Sequence, residues 1–347
     1  MARKLRMEYS GATYHVMARG NQGRDIYGGG EDRRLWLATL AEACEKTGWR
    51  IHAWVMMRNH YHLLLETPEP NLVGGMKWLQ GTYTQRYNAR HRLFGHLYQG
   101  RYKALPVDSS VGDYLAVVST YLHLNPARAG LIRIGEEPLA VYPWSSYPAY
   151  LKAMGEKPAW LVTDRVLGSL GLGPADGAGY GAYIEGRLLE LGIEAGRASL
   201  AEEWKTVRRG WYVGGAAFRA RMLGLAEGPL RQARSGSLSG GAKREHGEAW
   251  AERLLAVGLP LVGLKESDLT KGRKATPEKQ VLAWWLCRHT AVHRRWVSER
   301  LRMGDESSVT HAIRRVPDQT ALELASFKER LERAYPGGEA HLREIRA

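Results

Sequence analysis

Between Ala12 and Val107 the spacing of apolar residues alternates between the two-residue period of strands and the 3.6-residue period of helices, and the order of those switches is what most restricts the fold. Ala12–Arg19 (ATYHVMAR) alternates apolar and polar and is rich in strand formers, so it predicts a first strand, followed by a loop through Gly30. Leu35, Leu37, Leu40, Ala41 and Cys44 recur at helical spacing within Glu31–Thr47, with Gly48 where a C-cap belongs. Trp49–Met57 and His60–Glu66 are two strands joined by Arg58-Asn59, the signature of an antiparallel hairpin. Pro70–Arg90 predicts a second helix, and Arg101–Val107 a fourth strand that Pro106 places at an edge or near its end. Strand, helix, strand, strand, helix, strand is the ferredoxin-like (RRM-like) arrangement, an α+β fold with one antiparallel sheet and helices on one face.

With 347 residues the chain exceeds one ordinary domain, and 44% hydrophobic residues mark it as globular. Fifty Lys and Arg against 36 Asp and Glu leave a formal charge of +14, which favours an anionic partner, nucleic acid before a membrane surface. Residues 1–150 hold 18 basic and 12 acidic residues and the remainder 32 and 24, so the excess is not confined to a tail. Cys44 and Cys287 are the two cysteines, which excludes a disulfide framework and a four-thiolate zinc site. The opening MARKLRMEYSG has no apolar run behind its basic residues, and no stretch reaches the roughly 18 apolar residues of a membrane span. These features lead us to expect a cytoplasmic, nucleoid-associated protein with no membrane partner.

Two short patterns carry candidate chemistry. In Asn59-His60-Tyr61-His62 the histidines are two apart and, on a strand, point to one face of the sheet, where they are able to chelate one cation. A lone His-x-His pair is more often just two polar residues on a half-buried strand. Downstream, Ser109 caps a third helix, Val111–Leu124, which Asn125-Pro126 stops. Tyr121 and Asn125 are four apart and share a helix face, a nucleophile beside a neutral oxygen ligand. A helical tyrosine is usually packing, and Tyr114, two turns upstream, is a rival nucleophile.

Taken together, MMRNHYHLLLE, LYQGRYKALPV, YLHLNPARAGLI and YPWSSY, in that order and spacing over about residues 5–150, resemble the REP-associated group of HUH single-tyrosine transposases, which are IS200-like. The resemblance implies that His60 and His62 bind Mg²⁺ or Mn²⁺, that Tyr121 is the nucleophile, and that Asn125 is the third ligand, where related insertion-sequence enzymes carry Gln. It further implies cleavage of single-stranded hairpin DNA through a 5′-phosphotyrosine, with strand transfer to another 3′-OH. A tyrosine hydroxyl, with an ordinary pKa near 10, is a weak nucleophile at neutral pH, so the cation's task is to polarise the scissile phosphate. One nucleophile per chain is compatible with a monomer or a homodimer. Arg19, Arg24, Arg86, Arg90, Arg92, Arg101, Lys103 and Arg128 are candidate phosphate contacts, and Tyr98, Tyr102 and Trp144 candidate stacking platforms.

Residues 151–226 read as a helical extension, and 227–246, centred on the Gly/Ser/Arg stretch EGPLRQARSGSLSGGAK, as a mobile linker. Within 247–335, helices are expected at Pro277–Arg288, Arg294–Arg302 and Ser307–Val316, and residues 271–316 hold 11 basic and 4 acidic residues. The run LCRHTAVHRRWVSERLRMGDESSVTHAIRRV resembles the helix-turn-helix DNA-binding domain of bacterial replication initiators, which implies duplex DNA as a second partner. Arg294, Arg295, Ser307, Ser308, Thr310, His311, Arg314 and Arg315 are its candidate contacts. The competing readings are a non-catalytic DNA-binding regulator, a replication-initiator nickase with the same strand motif, and a zinc hydrolase, for which no third or fourth ligand is evident.

Overall fold

Alternation in ATYHVMAR and continuous apolarity in HYHLLLET determine where two of the four sheet strands lie. The computed structural model describes residues 3–4, 6–232, 238–270, 273–290, 292–317 and 322–335. They form two compact units, divided within a helix after Met222.

In the first unit, Arg6–Met222, the sheet strands are β2 (Ala12–Arg19), β3 (Arg50–Met56), β4 (His60–Thr67) and β5 (Lys103–Val107), ordered β3-β4-β2-β5 with every neighbour antiparallel. This is the expected ferredoxin-like topology. α1 (Gly30–Thr47) and α2 (Leu72–His91) cover one face, burying Trp36, Leu40, Met76, Leu79 and Tyr83 against Tyr14, Tyr61, Leu63 and Leu65. Gly48 ends α1 at φ 71°, as its C-cap position predicts. Pro106 lies on edge strand β5, and the backbone of Val213 pairs with it from outside the sheet.

Helices on one face alone is corrected. α3 (Tyr114–His123), α4 (Asn125–Arg128) and α5 (Tyr147–Tyr150) pack on the opposite face, joined by α6 (Asp164–Ser169), α7 (Gly177–Gly192), α8 (Glu194–Glu203) and α9 (Lys205–Arg209). That second cover explains the unbroken Leu63-Leu64-Leu65 run, since a strand buried on both faces needs no polar side. Of residues 151–226, read as an extension, those up to Met222 belong to the first unit and share one core with the sheet: Leu167, Ile184, Leu200, Trp204 and Val207 pack in the cluster that holds Val55, Leu64 and Tyr121.

The third helix ends at His123, within a residue of the stop expected before Asn125-Pro126, but it starts at Tyr114 after Asp113 rather than from Ser109, and helical structure then resumes. Leu124 (φ −82°, ψ −1°) interrupts it and α4 starts at once, with Pro126 in the first turn where its missing N–H costs nothing. The stretch 227–246 holds the end of α10 (Ala216–Gln232) and the start of α11 (Gly241–Leu261), and residues 233–237 fall outside those described.

In the second unit, strands β1 (Arg3–Lys4) and β6 (Leu238–Ser239) pair in parallel. α11, α12 (Pro277–His289), α13 (Arg294–Arg300), α14 (Glu306–Arg315) and α15 (Leu322–Arg333) enclose a core that includes Leu254, Leu255, Leu282, Trp285, Val297, Val309 and Leu331. The α13–α14 turn uses Arg302 (φ 54°) and Gly304 (φ 93°), and Asp305 caps α14 by accepting from Ser307 N–H at 2.8 Å. Among the described residues no helix is long and apolar enough to cross a membrane.

Candidate active site

Period two along β4 turns His60, His62 and Leu64 toward α3, and Tyr61, Leu63 and Leu65 toward α1 and α2. The two imidazole centroids are 5.1 Å apart. Register with β2 sets Arg19 opposite His60 and Met17 opposite His62, so His15 lies diagonally across from His62 on the same face. His15 Nε2 is 2.9 Å from His62 Nδ1, and the two rings stack at 5.1 Å. The ring of Tyr121 stands edge-on to both, its centroid 5.8 Å from each.

Burial pushes His15 down to about 3 and His60 down to about 4, with the nearby charge of Arg19 adding to the effect on His60. Burial also holds His62 well below the usual range, helped by His15, His60 and Arg128. All three rings are neutral at neutral pH, the form that has a lone pair to give. His60 Nδ1 is 2.8 Å from Asn59 Oδ1, and an N–H donated there leaves its Nε2 as the lone pair. In the same way, His62 Nδ1–H donated to His15 frees Nε2 of His62, so His15 orients this ring from behind.

α3 is fixed by polar bonds deep in the core. His123, fully buried, has Nδ1 2.8 Å from the Tyr180 hydroxyl and Nε2 2.7 Å from Ser146 Oγ, which itself accepts from Trp54 N–H at 2.9 Å. One residue thus ties the tyrosine helix to the sheet edge and to α7. The Trp204 ring lies edge-on to Tyr121 at 5.6 Å, and the Arg128 guanidinium sits 4.7 Å from the Tyr121 ring centre and 5.1 Å from that of Trp204. Arg128 has no carboxylate partner among the described residues, so its charge stands beside the tyrosine uncompensated.

The structure brings together His60, His62 and Tyr121. Tyr114 starts α3 seven residues earlier, about 10 Å along the axis, with its ring against Gly112 and its hydroxyl toward Gly215. Asn125 opens α4, is buried, and its amide nitrogen has no hydrogen-bond partner. Among the described residues no group of three His, Cys, Asp or Glu is arranged to hold a metal. Two neutral imidazole lone pairs and a buried amide with an unsatisfied end, whose oxygen and nitrogen ends are interchangeable in shape, are donor types able to hold a divalent cation while leaving positions for water and substrate oxygens. They do not fit a closed zinc site.

The expected DNA contacts divide. Arg86 forms a two-bond pair with Glu42, and Arg90 is paired with Glu31 and Asp32, so their charge is already matched. Arg19, Arg24, Arg92 and Lys103 are exposed with no carboxylate partner among the described residues, and Arg101 is exposed as well. Tyr98 and Tyr102 are not stacking platforms: both are buried, Tyr98 against Tyr61 and Tyr102 under Arg6, because the segment carrying them pairs with the end of β2 and turns their rings into the core. Trp144 is half-buried with Arg33 over its ring. In the second unit Arg294 donates to Thr310 Oγ1 at 3.2 Å and Arg295 pairs with Glu299. Ser307, His311, Arg314 and Arg315 are exposed on α14, and Ser308 and Thr310 half-exposed.

Sequence reasoning did not single out His15 or Trp204. His15 shares the two-residue period of Ala12–Arg19, but which face that period presents to His62 depends on register. Trp204 lies 83 positions beyond Tyr121 and carried no local signal.

No curated protein matches the chain. A solved structure, that of a "REP associates tyrosine transposase bound to a REP hairpin", is 15% identical with a TM-score of 0.37, over 48% of this chain and 93% of that one. Residues 8–125, which carry the histidine strand, the tyrosine helix and Asn125, match the family "Transposase IS200 like", and over that segment the chain is similar to the IS200-like transposases its motifs resemble.

Proposed function

We propose that the protein is a metal-dependent, transposase-like endonuclease and strand transferase that acts on single-stranded hairpin DNA through a 5′-phosphotyrosine. The observation that supports it most is the Tyr121 ring 5.8 Å from that of His62 within one chain. His60, His62 and Asn125 would hold Mg²⁺ or Mn²⁺, which when bound polarises the scissile phosphate and offsets the charge that develops on it. Tyr121 Oη attacks phosphorus as its proton passes to solvent, and the bond from phosphorus to the 3′-oxygen breaks as that oxygen takes up a proton from solvent. The products are a 5′-phosphotyrosine and a free 3′-OH, and attack by another 3′-OH reverses the step without loss of the phosphodiester. Arg128 stands where it neutralises phosphate charge beside the phenol, and His15 keeps the His62 ring in the tautomer with Nε2 free.

In this reading Arg19, Arg24, Arg101, Lys103 and Arg128 bind phosphates of the single strand. Residues 247–335 bind duplex DNA, α14 offering Ser308, Thr310, His311, Arg314 and Arg315, with Arg294 and Arg295 beside it. The protein works as a monomer or homodimer.

Incubation with end-labelled hairpin DNA and Mg²⁺ should give an adduct that survives denaturation. Tyr121→Phe abolishes it, Tyr114→Phe keeps it, and His60→Ala lowers it. An adduct that persists in the Tyr121→Phe variant overturns the assignment, while DNA binding with no adduct from the unaltered chain gives the regulator reading instead.

A further inference from the structure

The turn after α2 displays the most exposed large apolar side chain among the described residues. Phe94 is 98% exposed, and its neighbour Leu93 is 50% exposed. The turn is held rather than frayed. Arg92 takes a left-handed conformation (φ 53°), Leu93 N–H donates to Asn88 O at 2.9 Å, and Asn88 Nδ2 donates to Gly95 O at 3.0 Å. Gly95 turns the chain back at φ 89°. From there it docks on the sheet, where Asn21 N–H donates to Leu97 O and Gln99 N–H to Arg19 O, each at 2.8 Å. Arg19 is the register partner of His60. Phe94 therefore stands out from the end of the sheet that carries the histidines.

The charge at that end is net positive, since its carboxylate Asp25 is taken up by Arg58. Arg19, Arg24, Arg92 and Lys103 are exposed and lack a carboxylate partner among the described residues. An aromatic side chain in water adds nothing to the core, and a basic surround suits a strand of phosphates rather than an apolar protein face. Aromatic faces stack on any unpaired base, whatever its identity.

We infer that Phe94 stacks on an unpaired base of the bound strand while the surrounding cations track its phosphates. This rests on the single-strand DNA reading above and adds a binding contact outside the tyrosine and histidine site. The turn fixes where along the strand that base sits, so Phe94 helps to set the register between the strand and Tyr121.

Anisotropy of a fluorescein-labelled hairpin with single-stranded flanks, titrated with the full chain, tests it. Phe94→Ala weakens binding roughly five- to a hundredfold, the loss of one base stack, and Phe94→Trp restores it. A scan of abasic sites through the flanks finds one position at which the unaltered chain and Phe94→Ala bind alike, which identifies the stacked base. Equal binding of Phe94→Ala and the unaltered chain to every hairpin overturns the inference and leaves the DNA reading standing. If the unaltered chain binds no hairpin, both fall together.

Discussion

Lowering the pH from about 7.5 to about 5 should cost the first unit much of its stability, through imidazoles that are buried as neutral rings. His15 and His123 are fully buried, and burial pushes each down to about 3 from an ordinary 6.5. A histidine whose folded pKa lies below its unfolded one stabilises the fold above the unfolded value and loses that contribution as pH falls toward the folded value. The window therefore runs from about 6.5 down to about 3, and at pH 5 the unfolded chain has already taken up the proton that the folded chain still refuses. The difference of about 1.5 pH units below 6.5 is worth about 2 kcal/mol per ring, about 4 for the two. His60 and His62 add in the same direction. With a urea dependence of about 2 kcal/mol per molar, His15 and His123 alone lower the unfolding midpoint of the metal-free protein by about 2 M between those pH values, and His60 and His62 lower it further. His123→Leu removes about 2 kcal/mol of that pH difference, one ring's share, whatever it does to stability at pH 7.5, because Tyr180 and Ser146 remain while the titrating ring is gone. A midpoint that does not move with pH, or ring resonances of His15 and His123 that titrate near 6.5, would refute the reasoning.

Three further outcomes follow from the same packing. Arg128→Ala slows adduct formation at saturating DNA by roughly 10²-fold, the cost of removing one preorganised donor, and Arg128→Lys recovers part of it; an unchanged single-turnover rate refutes the role. His15→Phe keeps the volume of the ring but removes the acceptor behind His62, so Mn²⁺ affinity by calorimetry drops roughly 10- to 100-fold, and equal affinity sinks the assignment. Gly75→Ala places a methyl 2.2 Å from Trp49 Cζ2 where α2 crosses the start of β3, lowering stability by about 1–3 kcal/mol in thermal unfolding, and a wild-type melting temperature would show that the contact relaxes freely.

Much of the fold was written in local periodicity. The strand and helix order from Ala12 to Val107, the hairpin at Arg58-Asn59 and the pairing of His60 with His62 on one face each depend on residues within a few positions of one another. Backbone geometry alone converts such spacing into direction. The second cover on the sheet was not legible, because HYHLLLET reads equally as a half-buried strand until something packs on its other side. Tyr98 and Tyr102 went into the core, and Phe94 was left in water, because the loop they share is held by backbone bonds to β2 that no local pattern announces.

Sequence by itself determined the chemistry on offer: two imidazoles a strand period apart, a helical tyrosine with an amide four residues on, and a basic surface. Tertiary structure decided which tyrosine meets the histidines, that His15 supports His62, and that Arg128 and Trp204 enclose Tyr121. The physical reason is separation along the chain. Strand register and the packing of α3 under a distant helical segment bring together side chains from positions 15, 62, 121 and 204, and contacts across such distances are fixed by the closure of the whole core rather than by any neighbourhood in the sequence.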